Sequence, residues 1–453
     1  MPGSGSIIAQ ARPDSEPGPL LDLWEYLVDP KVGIVGEVSE LSPDDDEPAF
    51  FHYASRACDA GRFGGVPNSR RCGGASTVRY RAIAKAVGEA VERYCSAVFD
   101  REGMLCASFE ELRQQATPPE DFILYTTEQY AAQGFPWKPF TRDTRVCWVR
   151  GRSLEHDDDT LVPAAMVHVP FPQEGSRPDS PVAQSISTGL ACGTSYESAA
   201  LGGLCEAVER DAFALTWQAR MGHPRIAAAT APPSVQNMVA RFQAVGLRVE
   251  IVDITCDIRI PTILTLALGE AATSPALAVA TATHPSAEVA ALKSLEELAH
   301  TRRFARQLHR RLPPLPVDLA GQHPLVRDQR DHLRFYCPQE SVRYAEFLWG
   351  SVDLRPFPAV VGAEQLPDRE GLAAAREAVV AAGLHPVACD VTTPDISLLG
   401  LSVVKVVVPG LQPLYLGHSN RALGGRRLYT VPQKLGFPGI GVGRDNPYPH
   451  PFP

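Results

Sequence analysis

The chain has 453 residues, 43 Lys and Arg against 52 Asp and Glu for a net charge of −9, and 44% of it falls in the set AVILMFWYC. That is a globular composition with length enough for a large core, which excludes fibrous, collagenous and wholly disordered readings. The acidic balance argues against a general nucleic-acid binder, and no apolar run reaches the ~18 residues of a membrane helix.

By length the chain is about three domains' worth, or one large α/β unit with internal pieces. The expected division is a partly disordered segment 1–49, a main domain 50–445 and a proline-rich tail 446–453. The first ~20 residues are rich in Gly, Pro and Ser and lack the basic and apolar regions of a signal peptide, so a cytoplasmic protein is expected. The ten cysteines form no C-x-x-C pair. In a cytosolic chain they are expected to be buried thiols.

Acidic residues 44–47 precede a strand expected at 50–54. A helix is expected over 79–98, where Ala82, Ile83, Ala86, Val87, Ala90, Val91 and Tyr94 make one apolar stripe. Strands follow at 146–150 and 161–169, then a helix at 195–217. Strands are expected at 248–254 and 263–268, and a third helix at 286–312, ended by Pro313-Pro314. The run LSVVKVVV at 401–408 reads as a buried strand. The last eight residues, NPYPHPFP, read as an extended polyproline-like tail.

The informative feature is a repeat. Glu89-Ala90-Val91-Glu92-Arg93 recurs as Glu206-Ala207-Val208-Glu209-Arg210, 117 residues further on. That distance is no solenoid period and suggests two related units facing one site. On a helix the two glutamates are neighbours, and the arginine lies beside the first. Carboxylates held together repel, and Mg²⁺ shared with phosphate oxygens relieves that, while arginine grips phosphate bidentately. Taken alone, the Lys85, Glu89 and Arg93 ladder of the first helix also reads as surface salt bridging. The second helix is apolar nearly all round, so Glu206, Glu209, Arg210 and Asp211 would be buried charges that need partners. Gly73–Thr77 and Ser185–Thr194 read as small-residue loops whose free N–H groups could meet an anion. In the third helix Glu297 and Arg302 read as the inward pair, and most of the other arginines as a solvated face. No P-loop, serine-hydrolase or zincin motif is present.

These strings resemble a known family. GGASTVRYRAIAKAVGEAVERYCSA at 73–97, STGLACGTSYESAALGGLCEAVERDAFALTW at 187–217 and ALKSLEELAHTRR at 291–303 resemble the three nucleotide-binding segments of YcaO proteins. The closing PHPFP resembles the proline-rich end of their azoline-forming cyclodehydratases, and the whole is similar to the stand-alone D-protein (SagD-like) subgroup. The resemblance implies a mixed α/β (α+β) fold, duplicated internally around one ATP–Mg²⁺ site. It implies ATP-dependent closure of Cys, Ser or Thr in a ribosomal precursor peptide to a thiazoline or oxazoline. By position, Glu89, Glu92, Glu206 and Glu209 would hold Mg²⁺. Arg93, Arg210, Glu297, Arg302 and Lys85 would belong to the nucleotide site. Pro449 and Pro451 would guide the tail, bringing the terminal carboxylate of Pro453 to the γ-phosphate. A leader-binding partner, E1-like or ThiF-like, is implied, since no leader-binding domain is evident here, and family members commonly form homodimers. The chain departs from the family pattern at Lys85, Ala191, Ser198 and Gly202. Those changes keep open a non-catalytic docking subunit, beside relatives that form thioamides or amidines.

Overall fold

The computed structural model describes residues 19–172, 179–270, 275–317, 325–358 and 366–452. Among these, strands lie in three sheets. β1 (Val35–Glu40), β2 (Phe51–Ala57) and β3 (Arg71–Ser76) form an antiparallel sheet. The β1–β2 pairing spans the expected boundary at residue 49. A second sheet joins β4 (Leu105–Ala107), β5 (Val146–Ser153), β13 (Val387–Asp390), β14 (Ser402–Val407) and β7 (Leu190–Gly193), with β6 (Asp159–Pro163) on β5. The third runs β11 (Leu277–Thr283), β10 (Thr262–Leu268), β9 (Arg248–Asp253), β8 (Arg225–Ile226) and β12 (Leu354–Arg355).

The longer helices are α1 (Arg79–Cys95), α2 (Tyr196–Gln218), α3 (Pro233–Gln243), α4 (Ala287–Arg311), α5 (Asp368–Ala381) and α6 (Arg426–Lys434). Strand and helix thus follow each other in three units: β3–α1, β7–α2 and β11–α4. Each helix packs on its own strand and on a strand of another unit: α1 on β7, α2 on β11 and α4 on β3. The expected duplication therefore sits within a closed ring of three. Close packing depends on glycine: a Cβ on Gly74 of β3 would stand 2.5 Å from the carbonyl oxygen of Ala82 in α1.

Local sequence explains most boundaries. Ser195 and Ser286 cap α2 and α4 by accepting the backbone N–H of Ser198 and Val289. The LSVVKVVV run forms β14, buried because sheet neighbours and α2 cover it. Of two small-residue stretches expected as loops, 73–77 is mostly the strand β3, and 185–194 contains the short strand β7.

Two further readings are corrected. Cys106 and Cys147, facing each other across β4 and β5, form a disulfide, whereas the other eight cysteines are free and mostly buried. The arginines of α4 are not a solvated face, for Arg302, Arg303 and Arg306 are buried. Arg303 and Arg306 pair with Glu47 and Asp46, and Arg310 reaches Asp44 at 2.7 Å. The acidic turn is therefore the counter-charge of this helix.

Asp211, fully buried on α2, finds its partner in Arg427 of α6. Arg427 Nε and Nη2 donate to its two oxygens at 2.8 and 2.7 Å, and the Gln412 N–H donates at 2.7 Å. Arg427 also meets Asp257 at 2.6 Å. Breaking one side of a buried ion pair leaves an uncompensated charge and costs about 3–5 kcal/mol. Asp211→Ala is expected to lower stability by roughly 3 kcal/mol, read as a lower urea midpoint at constant slope. A loss under about 1 kcal/mol would mean that Asp257 alone satisfies the guanidinium.

Candidate active site

The two copies of the repeated string do the same thing. Glu89 of α1 accepts the N–H of Gly73 at 2.9 Å and meets Arg93 Nη2 at 3.1 Å. Glu206 of α2 accepts the N–H of Gly189 at 3.2 Å and meets Arg210 Nη2 at 3.2 Å. Gly189 has φ +85°, a conformation that suits glycine. Glu92 then crosses to the other unit, accepting the N–H of Cys192 in β7 at 2.8 Å. Glu209 lies 3.5 Å from Arg210 Nε. The N–H groups expected to be free for an anion are thus, in these three cases, bound by glutamates.

Burial and crowding raise the pKa values of two of these carboxyls. Burial chiefly, then Glu89 and Glu206, push the Glu92 carboxyl up to about 8, against the Cys192 N–H. Burial and the neighbouring Glu206 push Glu209 up to about 7, although Arg210 opposes them. A cation would relieve both. Among the described residues no three His, Cys, Asp or Glu side chains converge to ligate one ion. Mg²⁺ usually takes one or two carboxylates and completes its shell with phosphate and water. Oxygen donors in pairs, flanked by Arg93 and Arg210, therefore fit a Mg²⁺–polyphosphate rather than a bare ion.

The third segment closes the ring through a lysine. Lys85 of α1 meets Glu296 at 2.9 Å and Glu297 at 3.2 Å on α4, and Ser76 of β3 donates to Glu296 at 2.6 Å. Burial pushes the pKa of Lys85 down, but Glu297 and Glu296 outweigh it and raise it above its usual value, which keeps the ammonium charged. Against burial, Lys85, His300 and Arg210 hold the half-exposed Glu297 below its usual range. Arg302 takes a different course. Its charged neighbours are Arg306, Asp46 and Glu47, which puts it with the acidic turn rather than with the carboxylates.

The tail enters the same site. Trp217 Nε1 donates to Tyr448 O at 3.1 Å, Tyr336 Oη to Pro449 O at 2.6 Å, and His332 Nδ1 meets His450 O at 3.1 Å. Pro449 and Pro451 are buried, and Phe452 lies under the Arg210 guanidinium at 4.5 Å. Pro453 lies outside the described residues. Sequence reasoning missed Lys405. This buried lysine of β14 donates to Ile186 O at 2.6 Å, with Glu206 and Arg93 among the charges acting on it. Its signal was present: one cation inside a β-branched run.

A mixed α/β ring around paired carboxylates and arginines defines a nucleotide-and-metal class of site. Residues 73–412 match the YcaO family, described as cyclodehydratases that bind ATP and Mg²⁺, and the chain belongs to that family. Its cofactors are ATP and Mg²⁺. A protein of uncharacterised function from Methanothermobacter thermautotrophicus is 27% identical over 346 residues, 75% of this chain and 81% of that one. A heterocyclase solved in complex with substrate and cofactor superposes with TM-score 0.77 and 23% identity, over 95% of this chain and 56% of its own. The chain thus spans little more than half that heterocyclase's length. YcaO from Methanopyrus kandleri, bound with AMPPCP and Mg²⁺, gives TM-score 0.59 and 20% identity, over 83% of this chain and 86% of its own. No described helix is long and apolar enough to cross a membrane.

Tail docking should depend on pH. Burial pulls His450 down to about 4, with Arg210 adding to that. A released His450 titrates near 6.5, so the released state binds more protons between about 4 and 6.5. Docking is therefore strongest above about 6.5 and weakens as pH falls through that window, by roughly 2 kcal/mol at pH 5. Hydrogen exchange of residues 446–452, corrected for intrinsic rate, should show that loss of protection. Protection unchanged at pH 5 would contradict a neutral, buried His450.

Proposed function

We propose that the chain is the ATP-dependent cyclodehydratase of a ribosomal-peptide pathway and forms thiazoline or oxazoline rings. The observation that carries this is the convergence of the buried tail on Arg210, beside Glu206 and Glu209. In the reaction, a Cys thiol or a Ser or Thr hydroxyl adds to the preceding carbonyl carbon and gives up its proton. The carbonyl oxygen takes the γ-phosphoryl group and ADP leaves. Loss of the amide proton with expulsion of phosphate then forms the C=N bond. Such chemistry asks mainly for positioning and charge neutralisation. Glu89, Glu92, Glu206 and Glu209 would share Mg²⁺ with the phosphates, and Arg93 and Arg210 would grip phosphate oxygens. Pro449 and Pro451 would aim the carboxylate of Pro453 at the reacting end. A separate leader-binding protein would deliver the precursor peptide.

A second reading is favoured by one observation: the Lys85 ammonium already neutralises Glu296 and Glu297. On that reading Lys85 stands in place of nucleotide contacts and the chain is a docking scaffold. Phosphate release with precursor peptide and partner present, together with peptide mass, decides between them. Coupled phosphate release and loss of one water per ring supports catalysis. Peptide binding with neither supports the scaffold, and Lys85→Ser should then restore turnover.

Two further outcomes test the site. Glu206→Gln should abolish Mg–ATP hydrolysis while leaving the thermal midpoint within about 3 °C; retained turnover would remove Glu206 from the metal. Mg–ATP binding at pH 7 should displace between about one and one and a half protons, because a cation lowers the raised pKa values of Glu92 and Glu209. Calorimetry in buffers of different ionisation enthalpy reads that number. Zero protons would place the cation elsewhere.

A further inference from the structure

A cavity of about 130 Å³ lies beside β14. Arg210, Lys405 and Thr188 line one part of it, and Phe122, Leu124, Val406, Leu414 and Ala422 supply apolar walls. Asp121, Ile123 and Gly410, which also line it, are exposed, whereas Lys405 is 2% exposed. The cavity therefore leads from solvent to a buried ammonium. Lys405 spends one donor on Ile186 O, and an ammonium has three. Among the described residues no carboxylate pairs with it. For scale, an apolar cavity of about 150 Å³ accepts benzene.

We infer that this cavity holds the peptide residue whose carbonyl is activated, its apolar side chain in the pocket and its carbonyl oxygen bonded by Lys405 Nζ. The inference rests on the cyclodehydratase reading, in which the tail marks the reacting end of the nucleotide. Phe452 lies over the same Arg210 that lines the cavity, so the cavity opens at that end and not at the base. The two cations then face the oxygen on which negative charge develops, where a fixed donor in a water-poor site is most effective. The pocket's size limits that residue to a side chain no larger than a benzene ring, which makes the position before the cyclised Cys, Ser or Thr a specificity position.

The probe is acetyl-Gly-Gly-X-Cys-Gly-Gly-amide with X photo-leucine, irradiated with the full chain and Mg–AMPPCP. Labelling is expected within residues 121–125 or 405–415. It should fall about tenfold in Lys405→Met and in Ala422→Phe, which fills the pocket, with the circular dichroism spectrum and a cooperative thermal transition as the check that each variant is folded. If Ala422→Phe does not fold, Leu411→Ala enlarges the pocket instead. It should raise competition by the X = Phe peptide about tenfold over X = Leu. Labelling elsewhere, no labelling, or labelling of the same residues by 8-azido-ATP overturns the pocket. Pocket labelling without ADP or ring formation in the turnover assay upholds the pocket and overturns the cyclodehydratase reading.

Discussion

The site depends on glutamates hung from strand backbone. Glu89 on Gly73, Glu206 on Gly189 and Glu92 on Cys192 each join a helix to the N–H groups of a strand or its approach. A hydrogen bond to a charged group contributes about 1.5–3 kcal/mol. Taking a carboxylate out of water costs several kcal/mol. The Cys192 N–H and the nearby Arg93 therefore cannot hold Glu92 fully ionised, and its pKa of about 8 expresses the shortfall. The fold fixes the direction of these oxygens, Arg93 and Arg210 compensate part of their charge, and a cation would supply the rest. That division suits Mg²⁺, which arrives with its own phosphate ligands.

Within the ring, Lys85 differs by joining two helices, whereas Arg93 and Arg210 pair with glutamates of their own helix. It fastens α1 to α4 through Glu296 and Glu297, and Ser76 adds β3 to the same knot. The effect is asymmetric. The α2 side presents Glu206, Glu209 and Arg210 toward the tail, whereas the α1–α4 junction is already neutralised. A polyphosphate would therefore interact most strongly with the α2 side, unless it draws Lys85 away from its two glutamates.

The first long helix was legible because its apolar stripe has helical period, and the second because it is apolar nearly all round without a proline. The repeated Glu and Arg pairs were legible because charges on an otherwise apolar helix need partners. Which partners they take was not. Glu89 binds a backbone N–H 16 residues upstream, and Asp211 finds Arg427 more than 200 residues away, pairings that no local pattern encodes. β3 and β7 look like loops because glycine and small residues normally weaken strands. Here they are strands because α1 and α2 must approach them closely. Arg302 is inward as its place in α4 suggested, whereas Arg303 and Arg306 looked solvated and are captured by the acidic turn at 44–47. Lys405 was passed over because a strand reading explains its neighbours and not the ammonium.

The tail shows why its composition alternates. A buried, extended chain that pairs with no strand must satisfy every N–H and C=O individually. Proline at 447, 449 and 451 removes a donor at every second residue. The remaining demand falls on carbonyls, and side chains from separate elements meet it: His418 at Pro447, Trp217 at Tyr448, Tyr336 at Pro449 and His332 at His450. The N–H groups of Tyr448 and Phe452 are answered within the tail by Asn446 and His450. Trp217 and Tyr336 belong to one buried cluster that also takes in Phe452, so the donors that fix the tail's path and the core that buries its end are continuous. Phe452 is thereby carried to Arg210 without a strand partner, and the segment exposes no strand edge that would pair with another chain.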